Sequence, residues 1–211
     1  MISVILEALS SFILFIIKTC GYAGIFLLMT LQSFNIPIPS EVTMPFSGFL
    51  VSRGVFNFWA VVLFGALGNL LGGFLSYRFA EAFIKNGLRE KYKFLKFLIN
   101  ENNLETAERW FKKYGSVSVF IGRMVPVVST FISFAAGLSK MNRTLFLVFT
   151  FFGSALWSLG LTWIGYVLGQ NWIVLGAYFR KFDYLILGII LIVVVVWFVN
   201  HFKGSRQPIN N

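Results

Sequence analysis

The chain reads as an all-α integral membrane protein: an inverted repeat of two re-entrant helical hairpins set among transmembrane helices. Three observations predict this. Of 211 residues, 57% are hydrophobic and only 12% charged, with a mean hydropathy of +0.78, whereas a soluble domain carries about a quarter charged residues. Two apolar stretches are broken by prolines, at "FNIPIPSEVTMPFSG" (34–48) and "GRMVPVVST" (122–130). The chain also partly matches itself at a shift of 89 residues.

Taken in order, residues 2–20 form an apolar segment with a loose polar stripe, short for a span of about 20 residues, so they either cross or lie in the interface. Residues 21–53 form the first hairpin, with Pro37, Pro39, Pro45 and Gly48 marking its breaks. Residues 56–79 are long enough to span, and Gly65, Gly68, Gly72 and Gly73 give them a small-residue face for close packing. Residues 85–113 carry eight Lys or Arg and four Glu, interleaved with Phe, Leu and Trp. This is an amphipathic segment on the cytoplasmic surface. The second hairpin is 114–140, broken at Pro126 and Gly137, and 144–169 and 182–200 are further spans. The basic tail, 201–211, is expected to be disordered and cytoplasmic. The whole is read as one membrane domain, with its N-terminus retained for want of a signal-peptide cleavage pattern.

At the 89-residue shift, Pro37 falls on Pro126, Ser40 on Ser129, Gly48 on Gly137 and Tyr77 on Tyr166, with Ala66, Leu67 and Leu70 also matched. The order of features matches too: proline-broken segment, glycine, full span, tyrosine. The first span runs into the basic stretch and the second begins beside Lys140 and Arg143. The positive-inside rule puts both of those ends in the cytoplasm. The two units therefore have opposite orientations, a build common among secondary transporters. Fifteen or so residues on each side of a break are too few to cross twice. They suit hairpins entering from opposite leaflets, since irregular backbone at membrane depth needs protein or a wet cavity around it. The competing reading is a plain proline kink in each.

Several classes are excluded. One cysteine, Cys20, permits no internal disulfide and no cysteine metal site. One histidine, His201, permits no histidine cluster, so no metal or cofactor is expected. The net charge of +10 comes without a nucleic-acid motif and is assigned to membrane anchoring and anionic lipid, not nucleic acid.

Two charges stand inside the broken segments, Glu41 and Arg123. A charge at the bilayer centre costs at least about 2.5–3.5 kcal/mol, which makes such residues functional candidates. The plainer readings are a helix cap at Ser40 and Glu41 and a snorkelling Arg123. At a hairpin tip, however, the Arg123 guanidinium can take a phosphate in bidentate fashion. Gln32, Ser129 and Thr130 are softer candidates for the same site. Tyr77 and Tyr166 are read as interfacial anchors.

With "LQSFNIPIPSEVTMPFSGFLVSRG" and "FIGRMVPVVSTFISFAAGLSKMNRTLFLVFTFFGSALWSLGLTWIGYVLG", the chain resembles the DedA family of bacterial membrane proteins, whose VTT domain is shared with eukaryotic relatives. The resemblance covers roughly residues 15–170. It implies opposed re-entrant hairpins, a place in the bacterial cell membrane, and movement of lipids such as undecaprenyl phosphate or phosphatidylethanolamine between leaflets, in some members driven by protons. Carried over by position, Glu41 matches the acidic residue after the P-x-P element and Arg123 the first arginine of R-x-x-P-x-x-R. The second arginine is Ser129 here, and an acidic residue usual before the first proline element is Gln32. These departures point to a less highly charged substrate or to passive transport.

The expected activity is thus a lipid flippase or scramblase, with no enzymatic step. Arg123, the hydroxyls of Ser129 and Thr130, and half-helix N-termini would hold the phosphate head. Glu41 would donate to it when protonated and repel it when ionised. The alternatives are a proton- or cation-coupled solute transporter or channel, and a non-transporting scaffold. A homo-oligomer is allowed.

Overall fold

Gly21 sets the course of the N-terminal chain. A computed structural model describes residues 2–85, 114–126 and 128–171. In it, α1 (Ile2–Ser33) is interrupted at Gly21, with φ 59° and ψ −133°, a left-handed conformation that glycine adopts without a Cβ penalty. A Cβ on Gly24 would lie 2.7 Å from the carbonyl oxygen of Ile16, eight residues back, so the two limbs of α1 fold sharply against each other. Leu9–Ser33 is long and apolar enough to count as a span, yet it is not one straight rod. The bend coincides with the expected boundary between residues 20 and 21.

Five further helices follow: α2 (Ser40–Ser52), α3 (Phe58–Lys85), α4 (Val117–Arg123), α5 (Val128–Leu138) and α6 (Arg143–Val167), with a 3-10 turn at Leu168–Asn171. All regular structure among the described residues is helical. Phe58–Ala82 and Arg143–Val167 are also apolar and long enough to cross a membrane. They agree with the expected spans 56–79 and 144–169 to within a few residues at each end. The chain divides into two units, Met1–Gln170 and Asn171–Asn211. The surface segment 85–113 (beyond Lys85), the span 182–200 and the tail fall outside the described residues.

α3 and α6 form an antiparallel pair. Arg143 ion-pairs with Glu81 at one end, and a Cβ on Gly65 would sit 3.1 Å from Ser158 Oγ further along. The second limb of α1, Tyr22–Ser33, runs parallel to α3. Tyr22 stacks on Phe64 at 5.5 Å, glycine faces admit the carbonyls of Phe26 at Gly68 and of Thr30 at Gly72, and Ser33 Oγ donates to the Asn69 carbonyl at 2.8 Å. That limb is about 18 Å long at 1.5 Å per residue, so it ends level with the middle of α3. α2 then turns back, and the Asn57 amide donates to Tyr22 Oη at 2.8 Å. The two ends of this broken segment are therefore in contact.

The second broken segment packs at the other end of α3. α4 accompanies α6, with Phe120 and Arg123 against Gly153. α5 accompanies α3, with Ser133 at Gly73 and Gly137 at Tyr77. Its base is an apolar cluster of Tyr77, Val119, Ile132, Ala136 and Phe146. α2 in turn packs on α6 and α5 on α3, so the second limb of each broken segment lies on the long helix that belongs to the other.

Four expectations change. Pro37, Pro39 and Pro126 do lie in the breaks, but Pro45 lies inside α2. As the sixth residue of that helix it forfeits a single backbone bond, to Glu41, and the helix continues. Gly48 and Gly137 also lie within helices, α2 and α5, where their lack of a side chain lets backbones touch: a Cβ on Gly48 would meet the Thr162 carbonyl, and one on Gly137 the Tyr77 carbonyl. Tyr77 is not an interfacial anchor. It is 2% exposed, stacks on Phe146 at 4.8 Å and donates its hydroxyl to the Met141 carbonyl.

Candidate functional site

The two breaks meet at the middle of the α3–α6 pair, and Arg123 fills the junction. It is the last residue of α4 and is 2% exposed. Nη1 donates to Ser33 Oγ at 2.6 Å and to the Ser129 carbonyl at 3.3 Å. Nη2 donates to Ser133 Oγ at 2.5 Å. One guanidinium therefore ties the end of α1 to α5 across the two hairpins. The close approach needs Gly73 opposite, where any Cβ would collide with Nη2. Nε, although buried, has no hydrogen-bond partner. Among the described residues, ion pairs form at Arg78–Glu81 and Arg143–Glu81, and Arg123 takes part in neither. It is a buried cation whose hydrogen bonds end on neutral oxygens.

Asn35 makes the second tie. It has φ 72°, a left-handed conformation that Asn tolerates better than most residues. Its Nδ2 donates to the Thr130 carbonyl at 2.9 Å, and its Oδ1 accepts from Ser76 Oγ. The first tip is thereby fixed to the second and to α3. Asn35→Gly keeps the backbone conformation and removes both side-chain bonds, whereas Asn35→Ala also adds strain. Thermal unfolding in detergent should rank wild type above Gly and Gly above Ala, with about 1–2 kcal/mol lost at the first step. Equal midpoints for all three would show that the tie is idle.

The other expected residues are distributed around this centre. Ser40 is fully buried and accepts from the Trp157 indole at 3.3 Å. It caps nothing, because α2 has Pro39 at its N-cap and no side-chain cap bond. Glu41 is half-buried in the first turn of α2 and is not among the hydrogen-bond partners of Arg123. Gly153, against Arg123, and Trp157, against Ser40, are one helical turn apart on α6, so Ser40 and the guanidinium address successive turns of one helix. Gln32 is 5% exposed, one residue before Ser33, and its Oε1 is unpartnered. Ser129 and Thr130 engage the site through backbone carbonyls. The hydroxyls that hold the guanidinium belong instead to Ser33 and Ser133, which the sequence reading passed over. Ser133 lies ten residues after Arg123 and Ser33 ninety before it, spacings no local motif announces.

A model of the VTT domain matches residues 38–167. An alkaline phosphatase-like protein of Lactococcus lactis subsp. lactis (strain IL1403) is 30% identical over 188 residues, covering 85% of this chain and 86% of its own. Undecaprenyl phosphate transporter A of Bacillus subtilis (strain 168) is 32% identical over 165 residues, 78% of this chain and 80% of its own. The protein of the same name from Staphylococcus aureus (strain NCTC 8325 / PS 47) is 27% identical over 198 residues, 92% and 96%. No solved structure matches. The match spans α2 to α6, the stretch that holds Arg123 and both long apolar helices: the chain belongs to the VTT domain, or DedA, family of multi-pass membrane proteins.

Proposed function

We propose that the protein moves a phosphate-headed lipid between the leaflets of the bacterial cell membrane, the head passing between two re-entrant hairpin tips while the tails stay in lipid. One observation carries this reading: Arg123, buried where the tips meet, bonded to neutral hydroxyls and a carbonyl and to no described carboxylate. Moving a phosphate head through hydrocarbon is opposed by its desolvation. A desolvated guanidinium offers a fixed fork of donors that suits phosphate oxygens. The names of the B. subtilis and S. aureus relatives, undecaprenyl phosphate transporter A, point to a polyprenyl phosphate as the first substrate to try.

Re-entry is supported by the hydrogen bond between the two ends of the first hairpin and by the level of its tip. The inverted repeat is supported by the exchange of partners, α2 on α6 and α5 on α3. A two-fold relation makes contacts reciprocal in this way, and a simple translation does not. In this reading Glu41, in the first turn of α2, donates to the head when protonated and repels it when ionised, so that transport responds to pH. The step is translocation without covalent chemistry, and the ends joined by the 85–113 segment face the cytoplasm.

The test is reconstitution in liposomes with labelled polyprenyl phosphate, phosphatidylethanolamine and phosphatidylglycerol, each with and without a pH gradient. Wild-type protein should speed leaflet exchange of at least one of them. Flux of small ions or solutes with no lipid exchange would replace the proposal with a channel or solute carrier.

A further inference from the structure

Along one face of α6, Thr150, Ser154, Ser158 and Thr162 recur every fourth residue, each 0–1% exposed, and none of the four hydroxyls has a hydrogen-bond partner. The other two unpartnered buried side-chain atoms among the described residues are Gln32 Oε1 and Arg123 Nε, at the junction of the tips. Helical serines and threonines ordinarily turn their hydroxyl back to the carbonyl four residues before. They do so elsewhere in this chain, at Thr30, Thr43, Ser47 and Ser139. The α6 hydroxyls make no such bond, although the residues that carry them are buried. Arg123 docks beside Ser154, its Cβ 3.0 Å from a Cβ placed on Gly153. Ser158 faces Gly65 of α3, beside Met44 of α2. From Thr150 to Thr162 the row extends about 18 Å, more than half of the hydrocarbon thickness of about 30 Å.

We propose that these four hydroxyls are a hydrogen-bonding track, each rung donating in turn to the phosphate oxygens of a lipid head as it passes Arg123. This rests on the transport reading above. A hydroxyl can donate and accept and carries no charge, so it holds a phosphate oxygen or its hydration water weakly enough to release it to the next rung. At Gly65 and Gly73 of α3 the opposite wall is met by the flexible side chains of Met44 and Arg123, which swing aside as a head passes. A row of hydroxyls that existed only to pack would be improved by removing the oxygens, because an unpaired buried oxygen is a net penalty. Its presence therefore marks a role outside packing.

That difference supplies the test. Thr150→Val, Ser154→Ala, Ser158→Ala and Thr162→Val, singly and together, are reconstituted and assayed for exchange of labelled polyprenyl phosphate, and their thermal midpoints are measured in detergent. Each single change should slow exchange about tenfold, with the midpoint unchanged or raised. Unaltered exchange, or midpoints that fall in step with it, would overturn the track. Wild-type protein that moves no phosphate-headed lipid would instead overturn the transport reading, and the track with it. A second measurement starts from Cys20→Ser, which removes the exposed native thiol, and adds Ser154→Cys or Ser158→Cys. A charged, water-soluble thiol reagent should modify both positions in proteoliposomes, and polyprenyl phosphate in the vesicle should slow it where inorganic phosphate at equal concentration does not. No modification, or equal protection by inorganic phosphate, would count against a lipid track.

Discussion

Arg123→Ala should lower lipid exchange in liposomes about 100-fold, the rate equivalent of two charge-assisted hydrogen bonds to the moving phosphate. Arg123→Lys should lower it about tenfold, since an ammonium retains the charge but not the planar fork. The fold should survive both. The guanidinium costs desolvation energy and gains from Ser33, Ser133 and the Ser129 carbonyl only bonds to neutral groups. Once it is gone, a serine in a helix can turn to its own i−4 carbonyl. The unfolding midpoint of Arg123→Ala should therefore stay within a few degrees of wild type. Full exchange by Arg123→Ala would remove the guanidinium from the mechanism. A collapsed midpoint would recast it as a structural tie.

A scaffold role makes the opposite forecast for this residue. If the hairpins only packed, a neutral side chain of similar volume would hold them at lower cost, because no described carboxylate compensates the charge. The insertion penalty of about 2.5–3.5 kcal/mol for a central arginine is hard to reconcile with packing alone. It is well matched to binding an anion, which would supply the countercharge only while bound.

Much of this was legible in the sequence for physical reasons. Three prolines and a lone glutamate in 34–48 cannot sit in lipid as one straight helix, and the described chain breaks at 34–39. A basic residue inside an apolar stretch must be expensive, and Arg123 is indeed buried at the centre. The 89-residue shift paired Gly48 with Gly137 and Tyr77 with Tyr166, and those residues do occupy the exchanged contacts. What could not be read was contact partnership. Pro45 and the two glycines look like breaks by residue type, yet a proline near a helix start and a glycine at a crossing are compatible with unbroken helix. Ser33 and Ser133 look like any other small polar residues in an apolar run. Only the folded chain shows that they face one guanidinium. The α6 hydroxyls are likewise spaced as a packing stripe would be, and their unpartnered state is a property of rotamers that sequence does not specify.

Gly48→Val and Gly137→Val should each cost about 3 kcal/mol or more, a fall of about 10 °C in unfolding midpoint, because branched carbons would be forced onto backbone atoms that cannot yield. At Gly48 the obstacle is the Thr162 carbonyl with the Tyr166 amide, and at Gly137 the Tyr77 carbonyl with Ala80. Both obstacles lie on the long helix of the other half, and Tyr77 and Tyr166 are equivalent at the 89-residue shift. If the two halves are related by a two-fold axis, the alanine variants at the two positions should also match, each destabilising by about 1–3 kcal/mol. The double variant should then cost close to their sum, because the crossings are separate and share no partner. A valine tolerated at one glycine but not at the other would mean that only one crossing bears on stability. The shift would then be a coincidence of composition, and the case for tips meeting from opposite faces would rest on the first hairpin alone.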